Sequence, residues 1–317
     1  DVSLFNYIKN DLTLSSDNYR HIEPRLSLRY KLNTTSSIKA AFTENYQYVH
    51  LASTSSVSLP TDLWVPSSSV IKPKFARQYA IGYFKNLNDN MYETSLEAYY
   101  KEMTNLIEYR EGYLPEDNTN SSGDDSFTFG DGESYGVEVL LKKNKGKTTG
   151  WIGYTLSKTT RYFDEVNNGI AFPAKYDRRH DLSVTATHKL SKSWVLSGVF
   201  VYASGNSITL PTERYVIGGD IYTQFTSRNG FRVDPYHRMD IGATYTPSKK
   251  KKKFKSSWNF SIYNVYSRKN PYFIYFALEG LDDNGENQNI QNGNVEPKAY
   301  QVSIFPILPS ITWNFNF

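Results

Sequence analysis

Cysteine is absent from the 317 residues, which excludes disulfides and thiolate metal sites. The five histidines show no metal-ligand spacing, so no metal or cofactor site is expected. Long apolar runs are also lacking, and the mean hydropathy is −0.56. The charge-free stretch from Ala299 to Phe317 is long enough for a membrane helix, but it contains Pro306 and Pro309, and polar residues recur at alternate positions. That pattern fits a strand. The start, Asp1-Val2-Ser3-Leu4, lacks the basic residues and apolar core of a signal peptide, which points to a removed leader or a piece of a longer chain. Strong charge imbalance is missing too: the net charge is +4, and the run Lys249 to Lys253 reads as a solvated turn.

What is abundant is tyrosine, 26 residues of it, with aromatics at 15% of the chain. A ring with a wet hydroxyl collects where hydrocarbon meets water. The ending shows the same chemistry in order: Ile311, Trp313, Phe315 and Phe317 alternate with Thr312, Asn314 and Asn316. A period of two gives a strand whose faces meet different media, and lipid accounts for the aromatic one.

The pattern recurs along the chain. Leu26, Leu28, Tyr30 and Leu32 oppose Arg25, Ser27, Arg29 and Lys31, and three cations on one face require a wet surface. Similar strands are expected at 37–50, 74–86, 91–110, 131–143, 147–161, 175–189, 193–208, 234–247 and 254–278, with weaker signal at 1–8. The closing strand brings the count to about twelve. Connections alternate between short turns, such as Asn88-Asp89-Asn90, Asn144-Lys145-Gly146 and Leu190-Ser191-Lys192, and long polar segments at 51–72, 111–130, 162–174, 209–233 and 279–296. Hairpin-joined antiparallel strands then place every short turn at one end and every long loop at the other. Outer-membrane barrels have that asymmetry. A soluble all-β sandwich, whose strands average roughly 5–6 residues, fits less well. The expected fold class is therefore all-β: an antiparallel transmembrane β-barrel, multi-pass in the cell outer membrane.

Several segments resemble the C-terminal barrel of Bacteroidetes-type TonB-dependent outer-membrane transporters. They are Ser134-Tyr135-Gly136-Val137-Glu138, Tyr176-Asp177-Arg178-Arg179-His180-Asp181-Leu182, Trp194-x-Leu196, Tyr202-Ala203-Ser204-Gly205-Asn206, Tyr236-His237-Arg238-Met239-Asp240, Asn264 through Tyr272, and Phe305-Pro306-Ile307-Leu308-Pro309-Ser310. The resemblance implies a barrel of roughly 22 strands, of which residues 1–317 form the C-terminal part. The plug domain and the TonB-contacting segment are absent from this chain. It also implies partners: the N-terminal remainder with its plug, the TonB-ExbB-ExbD complex acting through that remainder, a surface lipoprotein, and outer-membrane lipid and lipopolysaccharide, but no nucleic acid. The implied function is TonB-dependent import of a bulky nutrient such as a siderophore, haem, cobalamin, glycan or peptide. The alternative is a non-transporting structural or adhesive barrel that binds partners through its outer loops.

No nucleophile, base and acid stand in a convincing arrangement, so an enzyme is not expected. The Tyr176–Asp181 run reads as a rim network of ion pairs. Candidate ligand or partner contacts at the outer mouth are Trp64, Tyr215, Tyr222, Phe225, Tyr272, Phe273 and Tyr275. By resemblance, the terminal Phe317 is the signal for membrane insertion.

Overall fold

The computed structural model of the protein describes residues 2–9, 15–52, 63–111, 123–217, 220–247, 255–278 and 297–316. A first hairpin joins β1 (Val2–Lys9) to β2 (Ser15–Ile22), and the main sheet opens with β3 (Arg25–Lys31) and β4 (Ser36–Gln47). A small hairpin, β5 (Val49–Ala52) and β6 (Leu63–Pro66), precedes β7 (Lys74–Leu87), β8 (Tyr92–Tyr109), β9 (Phe127–Lys143) and β10 (Thr148–Tyr162). After the short β11 (Phe172–Pro173) come β12 (His180–Lys189) and β13 (Trp194–Ala203). The next excursion pairs β14 (Ser207–Ile208) with a later strand, β17, and holds the hairpin β15 (Pro211–Ile217) and β16 (Asp220–Phe225) between them. That later strand, β17 (Phe231–Arg232), leads into β18 (Tyr236–Tyr245) and β19 (Lys255–Tyr263). A last hairpin, β20 (Phe273–Leu278) with β21 (Pro297–Val302), stands outside the main sheet before β22 (Leu308–Asn316) returns to it.

The main sheet has 12 strands in the order β3-β4-β7-β8-β9-β10-β12-β13-β18-β19-β22, with β11 added beside β10. All neighbours run antiparallel. The expected closed transmembrane β-barrel is corrected here: no ladder joins β3 to β22, so the sheet is open, with one unpaired side on each edge strand among the described residues. Alternation assigns the two faces of each strand, whereas closure depends on sheet curvature and stagger. The pattern carried no information about either.

Register shows how well the two faces sort. Leu28, Ala40, Ile81, Ala98, Val137 and Leu156 lie opposite one another across successive strands. One residue along, the other face carries Arg29, Lys39, Gly82, Glu97, Glu138, Thr155 and Asp181 in an unbroken row. The apolar face is not covered by protein: Leu28 is 69% exposed, Ile81 58% and Ile311 68%. Two aromatic rows border it. Phe42, Tyr79, Tyr100 and Tyr135 pair across strands near the long-loop end, followed one step further by Glu44, Arg77, Glu102 and Glu133. Trp194, Tyr245, Trp258 and Trp313 pair across strands near the short-turn end.

The expected loop rhythm is present, with short turns at 32–35, 88–91, 144–147 and 190–193 on one end of the sheet. Asn88, Asp89 and Asn90 all take positive φ (50°, 51° and 61°), a region that short polar side chains tolerate. The Asn33 carboxamide oxygen closes its turn by accepting from the Thr35 and Ser36 N–H groups at 2.9 and 2.8 Å.

Among the strand boundaries that differ from expectation, three have a local cause. Residues 15–22 form a strand despite their polar sequence, because β1 pairs with them along their whole length. The strand expected over 254–278 ends at Tyr263, where Asn264 (φ 52°) and Ser267 (φ 51°) turn the chain out of the sheet. The closing run is broken into β21 and β22 around Phe305 (φ 60°), just before Pro306. The terminal Phe317 lies outside the described residues.

Among the described residues, the buried apolar clusters lie at the long-loop end. Ala52, Val65, Ile71, Ile107, Tyr109 and Phe127 form one buried cluster, and Leu106, Phe163, Val166 and Phe172 another. A bulge between Met103 and Leu106, with Asn105 at φ 57°, re-aims the end of β8 so that Leu106 to Tyr109 are all buried.

Candidate functional site: the long-loop mouth

The long connections rise from strand ends whose buried ionic groups fix them in place. Glu108, 4% exposed, is held by Arg161 at 2.8 Å and Arg228 at 3.7 Å, while Arg228 donates to the Tyr109 carbonyl at 2.8 Å. These contacts tie the 204–235 excursion to β8 and β10.

A second clasp centres on Asp177, 1% exposed. Its carboxylate accepts from the Thr159 N–H at 2.7 Å and pairs with Arg232 at 2.6 Å and Arg179 at 3.7 Å. The rim network expected of the Tyr176–Asp181 run is therefore present around Asp177.

The third clasp serves the last excursion. Asp240 accepts from the Asn264 N–H at 2.9 Å, and the Asn264 carboxamide donates to the Phe305 carbonyl at 3.1 Å. Asn270 exchanges hydrogen bonds with the backbone of His237 at 3.0 and 2.9 Å. A charge or amide buried this way is costly to orphan.

The sequence-derived aromatic candidates fall on three separate hairpins. Trp64 lies on β6 opposite Leu51 and is 62% exposed. Tyr215 and Tyr222 are directly opposed in the β15–β16 ladder and Phe225 faces Pro211, with their side chains outside the described set. Tyr272, Phe273 and Tyr275 do come together at the base of β20: Tyr272 meets Phe273 edge-on at 5.8 Å, and Phe273 lies 6.1 Å from Tyr275. Tyr275 stacks on Tyr300 at 5.4 Å. Tyr300 was not singled out from sequence, although the alternation of 298–302 places it on one face of a strand. No described ring contact joins Trp64 to this group.

His50 on β5 is 1% exposed and lies 3.2 Å from the Ser67 hydroxyl. Burial, with Lys74 nearby, pushes its pKa down to about 4, so the ring is neutral at pH 7. Among the described residues no group of three or more His, Asp or Glu could hold a metal ion.

Sequence reasoning also passed over the polar face of the sheet. There Glu97, Glu138, Asp181 and Trp151 line a depression of about 300 Å³. Glu97 and Glu138 stand directly opposite in adjacent strands, and Asp181 joins them from β12, across Thr155 of the intervening β10. The signal was legible strand by strand but needed the register to align it.

Residues 3–265 match the family model described as TonB dependent receptor-like, beta-barrel. Among solved structures, the siderophore receptor PiuA from Acinetobacter baumannii is similar at a TM-score of 0.57 and 12% identity, over 98% of this chain and 38% of that one. The ferric-catecholate import receptor Fiu from E. coli K12 gives 0.54 and 13%, over 96% and 36%. The ferripyoverdine receptor of Pseudomonas aeruginosa gives 0.53 and 17%, over 87% and 33%. At such identities the likeness is one of fold, and the chain spans about a third of each structure. A search of curated protein sequences finds no match. With the family model covering most of its length, the chain belongs to the TonB-dependent receptor-like β-barrel family.

Proposed function

We propose that this chain is the C-terminal part of the outer-membrane β-domain of a TonB-dependent importer of the Bacteroidetes type that takes up a bulky nutrient. The observation that carries the reading is the sorting of the sheet into an uncovered apolar face bordered by aromatic rows and a polar face rich in charge. Lipid suits the first face, and a polar filling suits the second. Hydrocarbon offers no hydrogen-bond partner to an open sheet edge, so β3 and β22 take up strands from the remainder of the protein.

In this reading the plug of that remainder sits against the polar face, with basic side chains meeting Glu97, Glu138 and Asp181. The TonB-ExbB-ExbD complex acts through the plug. The long-loop mouth faces outward, where a surface lipoprotein can cover it, and no covalent chemistry is required of it.

The test is uptake by cells carrying the complete gene, compared with a deletion strain, with and without functional TonB. Growth on a limiting nutrient that depends on both supports import. A full-length outer-membrane protein whose loss alters surface attachment but no TonB-dependent uptake would favour the adhesive alternative.

A further inference from the structure

The two ends of the sheet's apolar side carry opposite charge. Toward the loops, the row beyond the aromatics is Glu44, Arg77, Glu102 and Glu133, and Arg77 is already paired with Glu44 at 2.7 Å. At the short-turn end the balance is basic. Lys85 and Lys143 share the alternation of Ile81 and Leu141, so both project on the apolar face. Lys145 and Lys147 stand exposed in the turn from β9 to β10, and Lys192 stands exposed in the turn from β12 to β13.

These turns form one continuous rim. The Asn144 N–H donates to the Met91 carbonyl at 2.8 Å, which joins the β7–β8 turn to the β9–β10 turn. The Lys189 N–H donates to the Lys147 carbonyl at 2.8 Å and the Thr246 N–H to the Ser193 carbonyl at 2.8 Å, carrying the rim across β12 and β13 to β18. Its described carboxylates are those of Asp89 and Glu93. Glu93 is paired with Lys142 at 3.3 Å, and the Asp89 carbonyl accepts from the Lys145 ammonium. Among the described residues no carboxylate pairs with Lys85, Lys143, Lys147 or Lys192. Lys143 lies 5.9 Å from the centre of the Tyr92 ring, and Trp194 of the aromatic row closely follows Lys192. A lysine stem can lie along apolar surface while its ammonium reaches the water boundary. At that depth unpaired ammonium groups meet lipid headgroups and favour anionic ones.

We propose that the short-turn rim docks anionic glycerophospholipid headgroups, of the phosphatidylglycerol class, through Lys85, Lys143, Lys147 and Lys192. This rests on the outer-membrane reading, in which the short-turn end faces the periplasmic leaflet. The loop end, where Glu102 stands directly opposite Glu133, offers such headgroups no comparable attraction.

The test places the complete purified protein in phosphatidylcholine vesicles that carry a trace of spin-labelled phosphatidylglycerol or spin-labelled phosphatidylcholine. The motionally restricted fraction of each label gives their relative association with the protein. Phosphatidylglycerol is expected to associate at least about threefold more strongly, with a preference that shrinks as salt rises. In the Lys85→Gln/Lys143→Gln/Lys147→Gln/Lys192→Gln variant the preference should fall at least about twofold, whereas arginine at the same four positions should keep it. None of the four lysines belongs to a buried clasp, and unchanged heat-dependent gel mobility checks that the variants fold. The salt dependence of the unaltered protein tests the inference without any variant. A preference indifferent to salt, or one untouched by the glutamine variant, would overturn it. Equal restriction of both labels would also overturn it while leaving the lipid-facing assignment standing, whereas no restricted lipid of either kind would refute that assignment and the inference together.

Discussion

The sheet and the loop layer above it are stabilised in opposite ways. Across the sheet, large apolar side chains such as Leu28, Leu96 and Ile311 stay exposed, and cohesion comes from antiparallel ladders. In the loop layer, Phe163, Val166 and Ile71 are fully buried, and carboxylates with almost no exposure are gripped by arginines. The sheet relies on its solvent to cover one face, whereas the loops make a dry interior of their own. Perturbations should therefore separate the two regions by kind.

The largest expected effect is in the loop layer. Asp177→Ala would orphan the Thr159 N–H and leave Arg232 and Arg179 without their carboxylate, at a cost of about 3–5 kcal/mol. Hydrogen exchange should show 172–180 and 228–234 opening while the β7–β9 ladders keep their protection. Equal loss of protection in both regions would break the distinction.

Next is the lipid face. Ile81→Arg should cost about 2–4 kcal/mol for folding into bilayers, whereas Gln78→Arg on the opposite face should cost far less. Equal penalties, measured by reversible unfolding from vesicles, would contradict the assignment of faces.

The third effect depends on pH. His50 has a folded pKa of about 4 against 6.5 for the unfolded chain, so the unfolded state binds more protons between those values. Its contribution to stability is complete above pH 6.5 and is lost as pH falls toward 4, by on the order of 2–3 kcal/mol. His50→Gln should flatten this dependence around β5 and β6, and proteolysis of the hairpin at pH 7 and pH 4.5 reads it directly.

The smallest effect on folding is at Trp64. Because the ring is largely exposed, Trp64→Ala should change stability by under about 0.5 kcal/mol. A lowered ligand affinity with an unchanged melting temperature would make the ring a contact residue, and no change in either would remove it from the site.

Much of the sheet was legible because each strand carries its own evidence. The alternation through Leu26–Leu32 or Tyr92–Tyr100 states which side is wet, and the Asn88–Asn90 and Asn144–Gly146 turns state where it reverses. What escaped were relations between distant residues. Nothing near Glu108 announces Arg228, which reaches it from 120 positions away in the chain (228 − 108). The bulge at Asn105 shifts the alternation of β8 without any glycine to mark it. Strand 15–22 has no apolar period at all and exists because β1 supplies its partner. Of the aromatic candidates, Tyr272, Phe273 and Tyr275 proved to be neighbours because they are close in sequence. The acidic row of Glu97, Glu138 and Asp181 required four strands, β8, β9, β10 and β12, to be aligned before it appeared.

The two aromatic rows also act as a depth gauge. A shift of one residue pair along the strands, about 7 Å, would in one direction draw Glu44, Arg77, Glu102 and Glu133 into the acyl chains. In the other it would lift Trp258 and Trp313 away from their interface. A membrane thinner or thicker than the span between these rows must therefore dimple or swell around the protein, since the protein has no comparable freedom to slide.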